Sequence, residues 1–310
     1  MPAFTHFRPA QPILVAHFFL AHVAPLRRDH ERLQVAGNEA DALPLGSGAV
    51  AGTNYAIDVS ALAQELGFSR VVANSVDASS DRDFAATFLY ACALTMAHLS
   101  RLAEDLIIFC GHEHRFFELS DSRSTGSSMM PQKKNPDPLE LVRGKTGRTL
   151  GHLVGLLTTL KGLPSGYNKD LQEDKQAVFD AEDTLAGCLA IVAKVVDGLS
   201  LNRERAETAA SGLLLATDVA DYLVGRGVPF RRAHEIVAAL VRRLVAEGRE
   251  FESLRLEEWR AASSLFDADI LGRVTPRASV DGKRTPQSTS PLAVRDAMAE
   301  VGVWLARVGR

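Results

Sequence analysis

The chain has 310 residues, of which 46% are hydrophobic and 24% charged, so it has the composition and length of a globular protein with a sizeable core. Its 35 basic and 38 acidic side chains give a formal net charge of −3, which argues against nucleic acid or a membrane surface as a partner. The three cysteines, Cys92, Cys110 and Cys188, have no metal-ligand spacing. Such a sparse, odd set is typical of the reducing cytoplasm, where buried thiols act as small apolar side chains.

Apolar residues recur at the helical period through most of the chain, and no strand pattern or internal repeat is evident. In the first two thirds of the chain, a helix is predicted over 13–36, with a kink at Pro25, and a short helix over 60–66. A glycine-rich loop is predicted over 37–54 and a polar irregular segment over 69–83. Long helices are predicted over 84–110, 138–161 and 171–199. The long helices are apolar on nearly every side. A monomer could not cover them, so we predict an all-α bundle that completes its core between subunits.

Shorter helices follow from about residue 202. They are predicted over 203–210, 217–225, 231–248, 256–263 and 292–307, with an irregular segment rich in Gly, Pro, Ser and Thr over 272–291. This change from long to short helices predicts two domains, a central long-helix bundle domain over 1–201 and a small helical C-terminal domain over 202–310.

Three polar islands interrupt the apolar helices. The first covers 5–12 and contains a histidine, which by itself could be structural or catalytic. The second covers 126–136, where two serines follow a glycine and two lysines and an asparagine lie between two prolines. A flexible loop so rich in donors suits the capture of a carboxylate and the placing of a hydroxyl beside a reacting carbon. The third island covers 167–175.

In the third island, Gln172 and Lys175 are three residues apart and would share a helix face. We interpret Glu173 and Asp174, between them, as solvated charges at a helix start.

The second island matches in full the signature Gly-Ser-Ser-x-Met-Pro-x-Lys-x-Asn-Pro of the fumarase/aspartase superfamily. Within that superfamily the chain resembles the argininosuccinate lyase family through nearly its whole length. The segments that carry this resemblance lie at 43–52, 78–84, 98–109, 136–148, 157–175 and 227–237. Adenylosuccinate lyase shares the superfamily fold, but its resemblance to these segments is far weaker.

The resemblance implies a β-elimination that cleaves argininosuccinate to arginine and fumarate without a metal or organic cofactor. A base removes a proton beside a carboxylate, the carbanion is delocalised as an aci-carboxylate, and the guanidinium group leaves. The family is also homotetrameric, and each active site draws its islands from different subunits. This agrees with the need of the long helices for partners.

The catalytic roles come from matched positions. Ser127 matches the residue proposed as base, whose alkoxide needs stabilisation by lysine and backbone N–H groups. Lys133 and Asn135 match the positions that stabilise the aci-carboxylate. His6 matches the other candidate acid or base, and Glu140 matches the position that pairs with this histidine and raises its basicity. Which of Ser127 and His6 takes the proton stays open.

Further matched positions contact substrate in the family. They are Thr5, Gln11, Tyr167, Gln172 and Lys175. Arg82 is a weaker candidate for substrate binding, because an ion pair with Asp81 or Asp83 would explain it equally well.

Three features depart from the family pattern. A Ser-Arg-Asn-Asp-Gln-type substrate-binding segment, which precedes the matched region in the family, is not found in this sequence. We therefore expect a shortened form: a fragment, one half of a split gene or the product of a misassigned start. Arg8 stands at a usual glutamine position, and 288–291 replaces a glycine-rich run. The alternatives are a catalytically impaired fragment, a non-catalytic scaffold with the lyase fold and an adenylosuccinate lyase-type enzyme.

Overall fold

The computed structural model describes residues 1–309, and these group into two compact units. The terminal unit contains residues 1–21 and 112–116 and the chain from Leu201 onward, and the central unit contains residues 22–111 and 117–200. The chain passes from the central to the terminal unit at Leu201, and two earlier segments also belong to the terminal unit. The division into domains over 1–201 and 202–310 stays a prediction.

The terminal unit begins with a hairpin that the sequence does not predict. Strands β1 (Pro2–Thr5) and β2 (Arg8–Pro12) pair antiparallel, with Thr5 opposite Arg8. The two residues between them, His6 and Phe7, both have positive φ angles, of 53° and 56°. A two-residue turn with positive φ at both positions matches the twist of a hairpin, but glycine and asparagine usually occupy it. The hairpin was missed because its short strands are rich in proline.

Helix α1 (Val15–Ala40) continues through Pro25 and ends four residues later than predicted. In the central unit, strands β3 (Ala42–Leu43) and β4 (Arg70–Val71) pair in parallel. Helix α2 (Val59–Leu66) is capped by the Asp58 carboxylate and ends at Gly67, whose φ of 81° suits glycine. Helix α3 (Ser75–Ser80), capped by Asn74, lies in a segment predicted as irregular.

Three long helices make the core of the central unit: α4 (Asp83–Cys110), α5 (Asp137–Leu160) and α6 (Asp174–Asp197). They confirm the predicted all-α class. The α4 helix buries Leu89, Met96 and Leu106 completely. Large apolar side chains of α5 and α6 nevertheless stay exposed, among them Val154 at 57% and Phe179 at 65%. Between the helices lie the short strands β5 (Phe117–Leu119), β6 (Thr125–Gly126), β7 (Lys134–Asn135) and β8 (Leu199–Leu201).

The remaining helices belong to the terminal unit. They are α7 (Arg203–Thr208), α8 (Ala216–Val224), α9 (Phe230–Glu247), α10 (Leu256–Ala262), α11 (Ile270–Arg273), α12 (Pro276–Asp281) and α13 (Pro291–Val308). Their core is built around Trp259, which stacks on Phe251 and meets Phe266 edge to face. The segment 272–291, predicted as irregular, contains the short helix α12. None of the helices in residues 1–309 combines the length and apolar character needed to cross a membrane.

Candidate active site

The second island forms a closed loop on a short hairpin. Strands β6 and β7 hold its ends, with Thr125 opposite Asn135 and Gly126 opposite Lys134. Within the loop, the N–H of Ser127 donates to the carbonyl oxygen of Lys133 over 3.3 Å. The backbone of 127–133 is therefore tied at both ends, which fixes where its N–H groups point.

The hydroxyl oxygen of Ser127 accepts two backbone hydrogen bonds. The N–H of Met129 donates over 3.3 Å and that of Met130 over 3.1 Å. Donors aimed at one oxygen stabilise a negative charge that develops there, as an oxyanion hole does. The arrangement therefore favours the alkoxide of Ser127, and an alkoxide is a far better base than a hydroxyl.

The two lysines of the loop have different environments. Lys134 forms ion pairs with Glu118 over 2.8 Å and with Asp121 over 2.7 Å, and these carboxylates raise the pKa of its ammonium. Lys133 is exposed and has no ion-pair partner within residues 1–309. Lys134 therefore anchors the base of the hairpin, while the charge of Lys133 stays available to an anion. No sequence pattern indicated the anchoring role of Lys134.

Two further residues lie where the loop meets α5. Asn135 is half-buried in β7, and Glu140 is exposed in the first turn of α5. The hydroxyl of Thr125 donates to the carboxylate of Asp137, which fastens the hairpin to this helix.

The third island is ordered by side-chain hydrogen bonds. Its residues form a 3-10 helix (Lys169–Glu173) that leads into α6. The Gln172 amide nitrogen donates to the hydroxyl oxygen of Tyr167 over 2.5 Å. The ammonium of Lys175 lies 3.0 Å from Oδ1 of Asp174.

Asp174 corrects one interpretation of the sequence. Predicted as a solvated charge, it is only 8% exposed, whereas Glu173 is exposed as expected. It also accepts a hydrogen bond from Nε of Arg82, so the main ion-pair partner of Arg82 is neither Asp81 nor Asp83. A signal was present, because Asp174 lies at helical spacing between the buried Leu171 and Ala177.

The first island lies on the hairpin of the terminal unit, which exposes Thr5, His6 and Gln11. All other candidate residues belong to the central unit. The pairing of His6 with Glu140 therefore stays a prediction. Arg8, the departure from the usual glutamine, is exposed at the start of β2.

The departure at 288–291 has a local structural role in the terminal unit. The hydroxyl oxygen of Thr289 accepts from the N–H of Leu14 over 2.7 Å. The hydroxyl oxygen of Ser290 accepts from the N–H of Ala293 and caps α13, with Pro291 as its first residue.

Comparisons with known proteins show the family to which the chain is similar. A family model described as Lyase matches residues 1–151, and one described as Argininosuccinate lyase C-terminal matches residues 213–281. The argininosuccinate lyase of Sulfurihydrogenibium sp. (strain YO3AOP1) is 51% identical over 98% of this chain and 66% of its own length. That of Moorella thermoacetica is 50% identical over 99% of this chain and 67% of its own length. The chain thus spans about two thirds of the length of these relatives.

A solved structure of an EDDS lyase variant with bound fumarate matches 99% of this chain and 65% of its own chain, with a TM-score of 0.84 and 29% identity. The all-α fold is of the fumarase/aspartase type. From the signature loop, the C-terminal match and the identity over nearly all of its residues, the chain belongs to the argininosuccinate lyase family of the fumarase/aspartase superfamily.

Proposed function

We propose that this protein catalyses the cleavage of argininosuccinate to arginine and fumarate, the last step of arginine biosynthesis. The observation that carries the proposal is the pair of backbone N–H groups on the hydroxyl oxygen of Ser127. A β-elimination needs a strong base next to a weakly acidic C–H group, and these donors support that role for Ser127. Family membership supports the choice of substrate.

In the proposed reaction, the alkoxide of Ser127 removes a proton from the succinyl carbon next to a carboxylate. The electron pair of the broken C–H bond is first delocalised into that carboxylate, where the positive charge of Lys133 and the amide of Asn135 stabilise the aci-carboxylate. The pair then forms the double bond of fumarate as the C–N bond breaks. The leaving guanidine nitrogen keeps the C–N electron pair and takes a proton from His6, which Glu140 supports in this role.

Substrate binding is assigned to the remaining matched residues, which supply hydrogen bonds and positive charge for carboxylates. They are Thr5, Gln11, Tyr167, Gln172 and Lys175, with Arg82 as the weakest candidate. We further propose a cytoplasmic homotetramer. The exposed apolar side chains of α5 and α6 support self-association, and the sparse cysteines support a reducing compartment.

Replacing Ser127 with alanine tests the mechanism. We expect Ser127→Ala to lower turnover of argininosuccinate at least about a thousandfold, because the base is removed. Fumarate release, followed by its ultraviolet absorbance, is the measurement, and light scattering should report an unchanged oligomeric state. Ser122→Ala, an exposed serine on the same approach to the hairpin, is the matched control and should keep wild-type turnover. Unaltered turnover in Ser127→Ala would reject the mechanism.

The same assay on the 310-residue chain separates the enzyme from a non-catalytic scaffold. Argininosuccinate, adenylosuccinate and EDDS should be offered side by side. We expect release of fumarate from argininosuccinate only. Release from adenylosuccinate or EDDS alone would contradict the substrate, and release from none would favour the scaffold.

A further inference from the structure

The carboxylate of Asp174 joins two cations in the central unit. Asp174 is the first residue of α6, and its side chain is 11% exposed. Its Oδ2 accepts a hydrogen bond from Nε of Arg82, and its Oδ1 lies 3.0 Å from Nζ of Lys175. Each carboxylate oxygen thus contacts one cation.

The charge state of Asp174 follows from these contacts. Burial alone would raise the pKa of its carboxyl group, but hydrogen bonds from Lys175 and Arg82 outweigh burial, and the pKa lies below its ordinary value. The carboxylate is therefore ionised at neutral pH. Its position at the start of α6 adds a favourable interaction with the positive end of the helix.

The two cations differ in what they can still bind. The side chain of Arg82 is 16% exposed, and its NH1 group also donates to the carbonyl oxygen of Asp81 over 2.6 Å. Arg82 is therefore held on two sides. The side chain of Lys175 is 54% exposed, and Asp174 takes one of the three N–H donors of its ammonium. Two donors remain for an anion.

A lysine side chain that is free in solution loses rotamer freedom when it binds an anion, and this weakens binding. The ion pair with Asp174 removes part of that freedom beforehand. Arg82 fixes Asp174, and Asp174 fixes the ammonium of Lys175.

We propose that Asp174 is a positioning residue that, with Arg82 behind it, holds the ammonium of Lys175 in place for a carboxylate of the substrate. This inference rests on the proposed function and deepens it, since it names the residue that orients Lys175. It also gives Arg82 a supporting role in place of direct contact with substrate.

The first test reads the ion pair without catalysis. Lys175 of the full chain is acylated with a limiting amine-reactive reagent, and its modification is measured by peptide mass spectrometry. We expect Asp174→Asn to increase the modification rate severalfold, because the amine of Lys175 is then no longer held in its ion pair by the carboxylate. Argininosuccinate should protect Lys175 in the wild type at concentrations about tenfold lower than in Asp174→Asn. Asp174→Glu should restore both behaviours, and Glu173→Gln, an exposed neighbour, should match the wild type.

The second test is the split between KM and kcat. Asp174→Asn should raise KM for argininosuccinate about tenfold while kcat changes less than about threefold. A merely structural role would lower thermal stability and kcat without this split. If Asp174→Asn does not fold, Lys175→Ala is used instead, because it keeps the ion pair between Arg82 and Asp174. Lys175→Ala must then give the same rise in KM.

Two results with Asp174→Asn overturn the inference: unchanged modification of Lys175, or faster modification with unchanged protection and KM. Absence of protection by argininosuccinate in the wild type also overturns it, even where turnover is found. If argininosuccinate protects Lys175 of the wild type but no fumarate is released, the proposed catalytic function is rejected and this inference still holds.

Discussion

The backbone N–H of Met130 donates to the hydroxyl oxygen of Ser127 over 3.1 Å, within a loop that is itself tied by the hydrogen bond from Ser127 to Lys133. The methionine side chains are not needed for this contact, since Met129 is 87% and Met130 is 44% exposed. Met129 and Met130 therefore act on Ser127 through their backbone N–H groups. A donor fixed by backbone geometry needs no reorganisation when charge develops on the oxygen.

The first prediction removes that donor. Met130→Pro deletes one N–H group on Ser127, and we expect turnover to fall about a hundredfold, since loss of one such donor costs two to three orders of magnitude in comparable sites. Met130→Leu keeps the N–H and should retain turnover within a few fold. Fumarate release at saturating argininosuccinate is the measurement. Equal turnover in the two variants would show that the N–H group of Met130 does not stabilise the alkoxide of Ser127.

Helical periodicity located the long helices from sequence because their apolar residues recur over many turns. It could not locate the hairpin that carries His6, because that turn depends on positive φ angles which the side chains of His6 and Phe7 disfavour. The signature identified Ser127 but not its two donors, since backbone N–H groups carry no residue identity. The spacing of Asp174 from Leu171 and Ala177 indicated a buried position, but charged residues at helix starts are mostly solvated, and that tendency gave the wrong prediction.

The second prediction concerns the strained turn in the first hairpin. Phe7 has a φ of 56° although its side chain is 84% exposed, so strain is not offset by burial. Phe7→Gly should raise the free energy of unfolding of the terminal unit by about 0.5–1 kcal/mol, with part of the relief lost to the greater freedom of glycine in the unfolded chain.

Urea unfolding is the measurement for Phe7→Gly. The control is Phe7→Ala, which keeps a side chain at positive φ and should give no gain. If both variants have the same free energy of unfolding, the positive φ angle at Phe7 does not destabilise the terminal unit.

The third prediction tests the proposed homotetramer. Helix α5 carries a row of glycines, Gly144, Gly147, Gly151 and Gly155, at spacings that put them on one side. All are exposed, and a Cβ atom at each would meet nothing within 4 Å. Each glycine costs about 1 kcal/mol relative to alanine inside a helix, so a row of them favours close approach of another helix.

We expect Gly151→Leu to break the tetramer into smaller species, because the leucine side chain would occupy the space of the partner helix. Light scattering coupled to size exclusion is the measurement. Gly272→Leu places the same side chain at an open glycine of α11 and should leave the tetramer intact. A Gly151→Leu protein that stays tetrameric would place the subunit contact elsewhere.

The last prediction concerns acid stability of the terminal unit. The carboxylate of Glu258 accepts from both terminal nitrogens of Arg249, over 2.9 and 3.1 Å, and from the N–H of Arg255 over 3.0 Å. These hydrogen bonds, that of Arg249 first, lower the pKa of Glu258 from its ordinary value of 4.5 to about 2. Because the folded-state pKa is lower than the unfolded one, the stabilisation is fully present above pH 4.5 and is lost as the pH falls toward 2.

Glu258→Gln should therefore be less stable than the wild type at neutral pH, and the difference should shrink steadily below pH 4.5. Urea unfolding followed by tryptophan fluorescence reports on this, because Trp259 is buried in the same unit. Glu257→Gln removes a neighbouring exposed carboxylate and should follow the wild type at every pH. A difference between Glu258→Gln and wild type that stays constant from neutral pH to pH 3 would mean that Glu258 is not held ionised by Arg249, because a carboxyl with an ordinary pKa contributes no such slope.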